Sequence, residues 1–141
     1  MILKNKTMTN SNSKTTIIAE IGVNHNGDIN LAKLLVDKAS DAQVDYAKFQ
    51  IFKSEEVICS SAEKAEYQKN TTGEEESQLD MVKKLELSYS AHKHLKSYCE
   101  ERGVKYLSTP FDVPSFDYLM ELGLDTIKLP SGEITNYLLL S

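Results

Sequence analysis

Short β-branched runs recur along this chain, each closed by a turn and followed by a segment of helical period, and this alternation most narrowly limits its fold. TTIIAEIG reads as a first strand from about Thr16 to Ile21, bounded by glycine and the turn sequence NHNGD. Asp28 or Asn30 then caps a helix with Leu31, Leu34, Leu35 and Lys38 on one side, extended by Ala39 and Ala42. VDYAKFQIF is a second strand from about Val44 to Phe49 or Gln50, and VKYLSTP a third. Pro114 to Leu122 follows as a helix opened by proline and packed through Phe116, Leu119 and Met120. LDTIKLP is a fourth strand, and ITNYLLLS begins a further element, read as a helix. Strands each followed by a helix point to an α/β fold of parallel βα units with right-handed crossovers.

The rhythm weakens between Lys53 and Ser77, which reads as an elaborated loop with one short helix and a polar turn at Asn70 to Gly73. SQLDMVKKLEL resumes as a helix, with Leu79, Val82 and Leu85 or Glu86 in register. A second helix starts near Ser90, shares a face through Ala91, Leu95, Tyr98 and Cys99, and ends at Gly103. Residues 1–14 are polar, carry no periodic face and read as a flexible lead-in.

A chain of 141 residues is long enough for one domain with a real core. The net charge of -5, from 16 basic and 21 acidic residues without a long block of either, disfavours a nucleic-acid partner. Cys59 and Cys99 suit unpaired thiols in a reducing compartment. No apolar run approaches the roughly 20 residues that cross a bilayer, and the N-terminus lacks the apolar core of a signal peptide. A cytoplasmic protein without a membrane partner is the expectation.

Parallel strands covered by helices should be apolar on both faces, and two lysines break that rule. The period of two places Thr126 and Lys128 on one face of the fourth strand, opposite Ile127 and Leu129, and places Lys48 with Tyr46 and Gln50 on one face of the second. Two inward ammonium groups ask for an anion. Glu20, at the end of the first strand, is either an ion-pair partner of Lys48 or an active-site carboxylate that orients a hydroxyl or moves a proton. Glu133 lies just past the fourth strand, after Ser131 and Gly132, whose turn can offer N–H groups and a hydroxyl to a phosphate or carboxylate. Thr109 in STPFD is a small polar contact at the end of the third strand, and His25 in NHNGD can reach the same rim as Glu20. His92 and His94, two apart on a helix, read as exposed or half-exposed residues. No compact metal signature, dinucleotide fingerprint or phosphate-binding GK loop is present. The acidic run Glu74 to Glu76 reads as a solvated helix start.

AEIGVNHNGD, YAKFQIFK, STPFD and IKLPSGE, in this order and with AEYQKN, TGEEESQ and KKLELS between them, are very similar to the sialic acid synthase family over about residues 16 to 141. That family condenses phosphoenolpyruvate with an N-acetylated sugar to make nonulosonic acids. The resemblance implies a (β/α)8 TIM barrel of which about the first four βα units are present. Residues 15–141 would then be the N-terminal part of the barrel domain, with the later strands and an antifreeze-like C-terminal domain absent and the piece alone inactive and unstable. It implies that Lys48 and Lys128 hold the phosphate and carboxylate of phosphoenolpyruvate, assisted by Ser131 and Thr109. Glu20 would stand by the sugar and the reacting centre, and Glu133 would serve proton transfer or activation of water. A divalent metal, Mn or Mg, and a homodimer are implied for the full-length enzyme, with metal ligands outside this chain. Tyr46-Ala47 before Lys48 departs from the family's usual alanine and valine. A Schiff-base aldolase of keto acids, using a desolvated lysine, and a non-catalytic α/β interaction domain are the alternatives.

Overall fold

In the computed structural model, which describes residues 15–58 and 77–137, three parallel strands pair in sequence order: β1 (Ile18–Gly22), β2 (Tyr46–Ile51) and β3 (Lys105–Pro110). The register sets Glu20 opposite Lys48, Lys48 opposite Leu107 and Gln50 opposite Thr109. Successive side chains alternate between faces. Glu20, Lys48, Gln50 and Thr109 therefore share one face of the sheet, while Ala47, Phe49, Ile51, Tyr106 and Ser108 share the other.

Helices cover that second face. α1 (Ile29–Asp41) and α2 (Ser54–Val57) follow β1 and β2, α3 (Gln78–Lys83) and α4 (Tyr89–Glu101) precede β3, and α5 (Val113–Glu121) follows it. Each of the longer helices starts on a side chain that accepts an otherwise orphaned N–H: Asp28 from Asn30, Ser88 from Ala91 and Asp112 from Ser115. Ala32, Val36 and Ala39 of α1, with Ala91, Leu95 and Cys99 of α4 and Leu119 of α5, pack with Ala47, Phe49, Ile51 and Tyr106 as one core. Burial pushes the Cys99 thiol up to about 12, which leaves it an inert core residue.

Several sequence expectations shift. In α1 the buried stripe is Ala32, Val36 and Ala39, whereas Leu34 is 51% exposed. Small side chains at this spacing let the helix lie close to the sheet, and the larger leucines move to its flanks. In α5, Leu119 is buried but Met120 points outward. Residues Thr126 to Leu129 do not form the expected fourth strand: the Lys128 N–H donates to the Ser108 carbonyl at 3.0 Å, but no ladder follows. Asp125, Thr126 and Lys128 are exposed, and Pro130 has no N–H to continue pairing. Ile127 still packs against the core. Cys59, the turn at Asn70 to Gly73, the run Glu74 to Glu76 and the end of ITNYLLLS lie outside the described residues.

His92 is the largest departure, for it is a core residue with 1% exposure. Its Nδ1 lies 2.8 Å from the Tyr106 hydroxyl, and the Tyr106 ring stacks on Phe49. Burial, with a smaller contribution from His25, lowers its pKa to about 3. His94 is exposed, as expected.

Gly27 closes the turn after β1 at φ +75°, and a side-chain carbon there would collide with the Lys84 carbonyl oxygen. Gly27→Ala is expected to lower the urea-unfolding free energy by at least about 2 kcal/mol, through left-handed strain and the collision together. His92 yields a pH prediction of definite sign. The unfolded chain takes up a proton at the ordinary value of 6.5, whereas folded His92 resists it down to about 3. The stability from keeping it neutral is complete above 6.5 and is lost as pH falls through this window, by roughly 1 kcal/mol per pH unit. Between pH 6.5 and 4.5, above the ordinary carboxylate range, the thermal midpoint is expected to fall more steeply for the native chain than for His92→Gln.

Candidate active site

Lys48 is 8% exposed, on the sheet face opposite the helices. Its Nζ sits 2.5 Å from Glu20 Oε2 and donates to Thr109 Oγ1 at 3.3 Å. All three strands thus converge on one ammonium, because the parallel register aligns residue 20 with 48 and residue 50 with 109. The two partners are unequal in burial: the Lys48 side chain is 10% exposed and that of Glu20 is 57% exposed. The carboxylate therefore opens to solvent while the ammonium forms the floor.

Gly22 extends this floor. It sits at a bulge in β1 with φ +57°, and a side-chain carbon there would lie 3.3 Å from Glu20 Oε1 and 3.6 Å from Gln50 Nε2. Glycine keeps the space between a carboxylate and a carboxamide open. Gln50 is the site residue that lysine-centred reasoning passes over. Its signal is its place two residues beyond Lys48 on the same strand face.

Beyond Gln50 a cleft of about 460 Å3 opens, lined by Val23, Gln50, Phe52, Glu56, Val57, Ile58, Val82, Leu85, Phe111, Glu133 and Asn136. Glu133 reaches it from a single turn of 3-10 helix, Ser131–Glu133, where its Oε2 accepts from Asn136 Nδ2 at 2.5 Å. Lys128 and Ser131 are exposed. A second cleft of about 420 Å3 lies by Tyr46, Lys105 and Thr126 at the opposite end of the strands, away from the Lys48 cluster.

His25 takes a position other than the expected rim. Its ring is 1% exposed and lies by Phe49, on the helix side of the sheet, with a centroid separation of 6.2 Å. Its Nδ1 accepts the Gly27 N–H at 3.1 Å, so the neutral ring carries its proton on Nε2. Burial lowers its pKa against the opposing pull of the Gly22 backbone. The cause is the tight turn Val23 to Gly27, which folds the ring under itself and holds it away from the Lys48 face.

Residues 35–141 of the sequence match the NeuB family. The chain belongs to the NeuB family. This NeuB-family chain is 56% identical over 123 residues to N,N'-diacetyllegionaminic acid synthase of Campylobacter jejuni, covering 87% of the chain and 37% of that protein. It is 49% identical over 120 residues to the enzyme of the same name from Legionella pneumophila, covering 85% of the chain and 34% of that protein. The crystal structure of N-acetylneuraminic acid (sialic acid) synthetase from Leptospira borgpetersenii, in complex with citrate, superposes with a TM-score of 0.71 at 32% identity, covering 94% of the chain and 44% of that structure. The chain spans about a third of the length of the curated relatives it matches.

The unequal burial of Glu20 and Lys48 has a measurable consequence. Lys48→Met leaves Glu20 unpaired but hydrated and is expected to cost less than about 1 kcal/mol in urea unfolding. Glu20→Gln removes the charge facing a buried ammonium and is expected to cost about 1–3 kcal/mol.

Proposed function

We propose that this NeuB-family chain forms part of a nonulosonic acid synthase that condenses phosphoenolpyruvate with an N-acetylated hexose and releases phosphate. The observation that carries the reading is the Lys48 ammonium, fixed between Glu20 and Thr109 on the open face of a parallel sheet. The similarity to diacetyllegionaminic acid synthases favours an acylated amino sugar as acceptor. The sheet would be the first part of a TIM barrel, whose active site lies at the C-terminal ends of the strands, and the full-length protein would be a homodimer.

Lys48 and Lys128 would neutralise the phosphate and carboxylate of phosphoenolpyruvate, with Thr109 and Ser131 completing the polar contacts. Such contacts serve a reaction in which these groups keep or develop charge throughout. C3 of phosphoenolpyruvate attacks the sugar aldehyde, water adds at C2, and phosphate leaves by C–O cleavage. Glu20 would orient the acceptor, and Glu133 would move the proton or activate the water. A divalent metal, Mn or Mg, is expected as the Lewis acid that polarises the aldehyde. The described residues do not fit one: no group of three His, Cys, Asp or Glu side chains comes together among them, and His25 and His92 are buried on the helix side. Its ligands are proposed to lie outside this chain.

An ammonium held by a carboxylate and a hydroxyl supports the charge-partner reading, whereas a Schiff-base aldolase needs a free amine. Phosphoenolpyruvate titrated into the full-length protein is expected to broaden and shift its 31P resonance, and Lys48→Met to abolish the effect. A phosphorus signal indifferent to Lys48→Met overturns the reading. So does borohydride trapping of pyruvate as an adduct on Lys48 or Lys128.

A further inference from the structure

The cleft beside Gln50 has two walls from separate parts of the chain. Phe52, Glu56, Val57 and Ile58 supply one, from the end of β2 and α2; Val82 and Leu85 supply the other, from α3 and the link that follows it. Between the walls, Glu86 forms a clasp. Its Oε2 accepts the Ser54 N–H at 2.9 Å and the Ser54 hydroxyl at 2.7 Å, while its Oε1 takes the Lys53 Nζ at 3.1 Å. Lys53 also stands over the Tyr89 ring, 4.2 Å from its centroid, and its own N–H donates to Asp112 Oδ2 at 2.7 Å. The Glu86 side chain is 17% exposed and that of Lys53 is 34% exposed. An outer staple, Lys83 to Glu55 at 2.6 Å, joins the same two elements in solvent. Burial works to raise the Glu86 carboxyl, but Ser54 and Lys53 outweigh it and hold it below the usual range.

A carboxylate with this many donors is over-specified for a loop tether, and it touches none of Glu20, Lys48 or Gln50 among its hydrogen-bond partners. What it fixes is the spacing between Phe52 and α2 on one side and Leu85 on the other. Among the described residues its lining carries two carboxylates, Glu56 and Glu133, and no Lys or Arg, so it favours a neutral occupant over an anion. The anion belongs to the adjoining lysine.

We propose that Glu86 is a positioning residue that sets the width of this cleft and thereby governs capture of the neutral acylated sugar, leaving the capture of phosphoenolpyruvate at Lys48 unaffected. The inference rests on the synthase reading given above. A pocket whose walls are tied together binds its ligand pre-organised, and loosening it costs affinity for the ligand that needs both walls.

The test measures binding of two probes, N-acetylmannosamine and phosphoenolpyruvate, to the full-length protein by ligand-observed NMR, with the Tyr89 ring resonances reporting on the clasp. Glu86→Gln and Lys53→Met are each expected to shift the Tyr89 resonances and weaken N-acetylmannosamine about tenfold. Phosphoenolpyruvate should change by less than about twofold, and Lys83→Ala should leave both affinities in place because the outer staple is solvated. Should Glu86→Gln fail to fold, Lys53→Met decides, since it opens the clasp from its more exposed side. Shifted Tyr89 resonances with unaltered sugar affinity overturn the proposal, as does a parallel loss of both ligands. A native full-length protein that binds phosphoenolpyruvate but not N-acetylmannosamine also overturns it, whereas one that binds neither overturns the synthase reading itself.

Discussion

An ammonium lodged in a sheet face must find opposite charge or hydrogen-bond acceptors close by, and the arrangement around Lys48 follows from that need. Glu20 comes from β1 and Thr109 from β3, so the lysine on the central strand is satisfied only while all three strands keep their register. A slip of one residue would turn every side chain to the opposite face, carrying Lys48 in towards Tyr106 and the helices and Phe49 out of the core. Register and site are therefore one constraint. The apolar helix side enforces it, and the polar open side uses it.

The same division sorts the other polar groups. His25, His92, Tyr106 and Ser108 lie on the helix side, where burial keeps the imidazoles neutral and they serve packing and turn geometry. Glu20, Lys48, Gln50 and Thr109 lie on the open side, next to a cleft into which Glu133 also reaches. Glu86 belongs to neither set. It binds the segment after β2 to the link before α4, and Asp112 ties that segment in turn to the start of α5. The connections around the cleft are thus held by charged hydrogen bonds, stronger than neutral ones when partly buried.

Much of this was legible in the chain. The strand and helix alternation, a cap at Asp28 or Asn30 that the structure assigns to Asp28, and the shared face of Lys48 with Gln50 all follow from local period and side-chain chemistry. The pairing of Glu20 with Lys48 was one of two readings left open, and the geometry makes the ion pair a fact without excluding the second. Misreadings arose where a neighbour decided the outcome. Leu34 and Met120 look like core by period, yet the sheet accepts the smaller stripe of α1 and Leu119 of α5. His92 looks like a polar surface residue until the Tyr106 hydroxyl is brought to it from β3.

Sequence by itself determined the parallel βα order and the shared face of Lys48 with Gln50, because these depend on a period of two, a period of 3.6 and the chemistry of the residue types, while its four motifs carried the family resemblance. Tertiary structure alone decided the rest. It turned His25 under its own turn, left residues 126–129 tied to β3 by a backbone bond at Lys128 without a strand ladder, and joined Glu86 to Ser54, 32 positions away along the chain. The last two outcomes rest on contacts between residues far apart in the chain, whose distances no local pattern encodes.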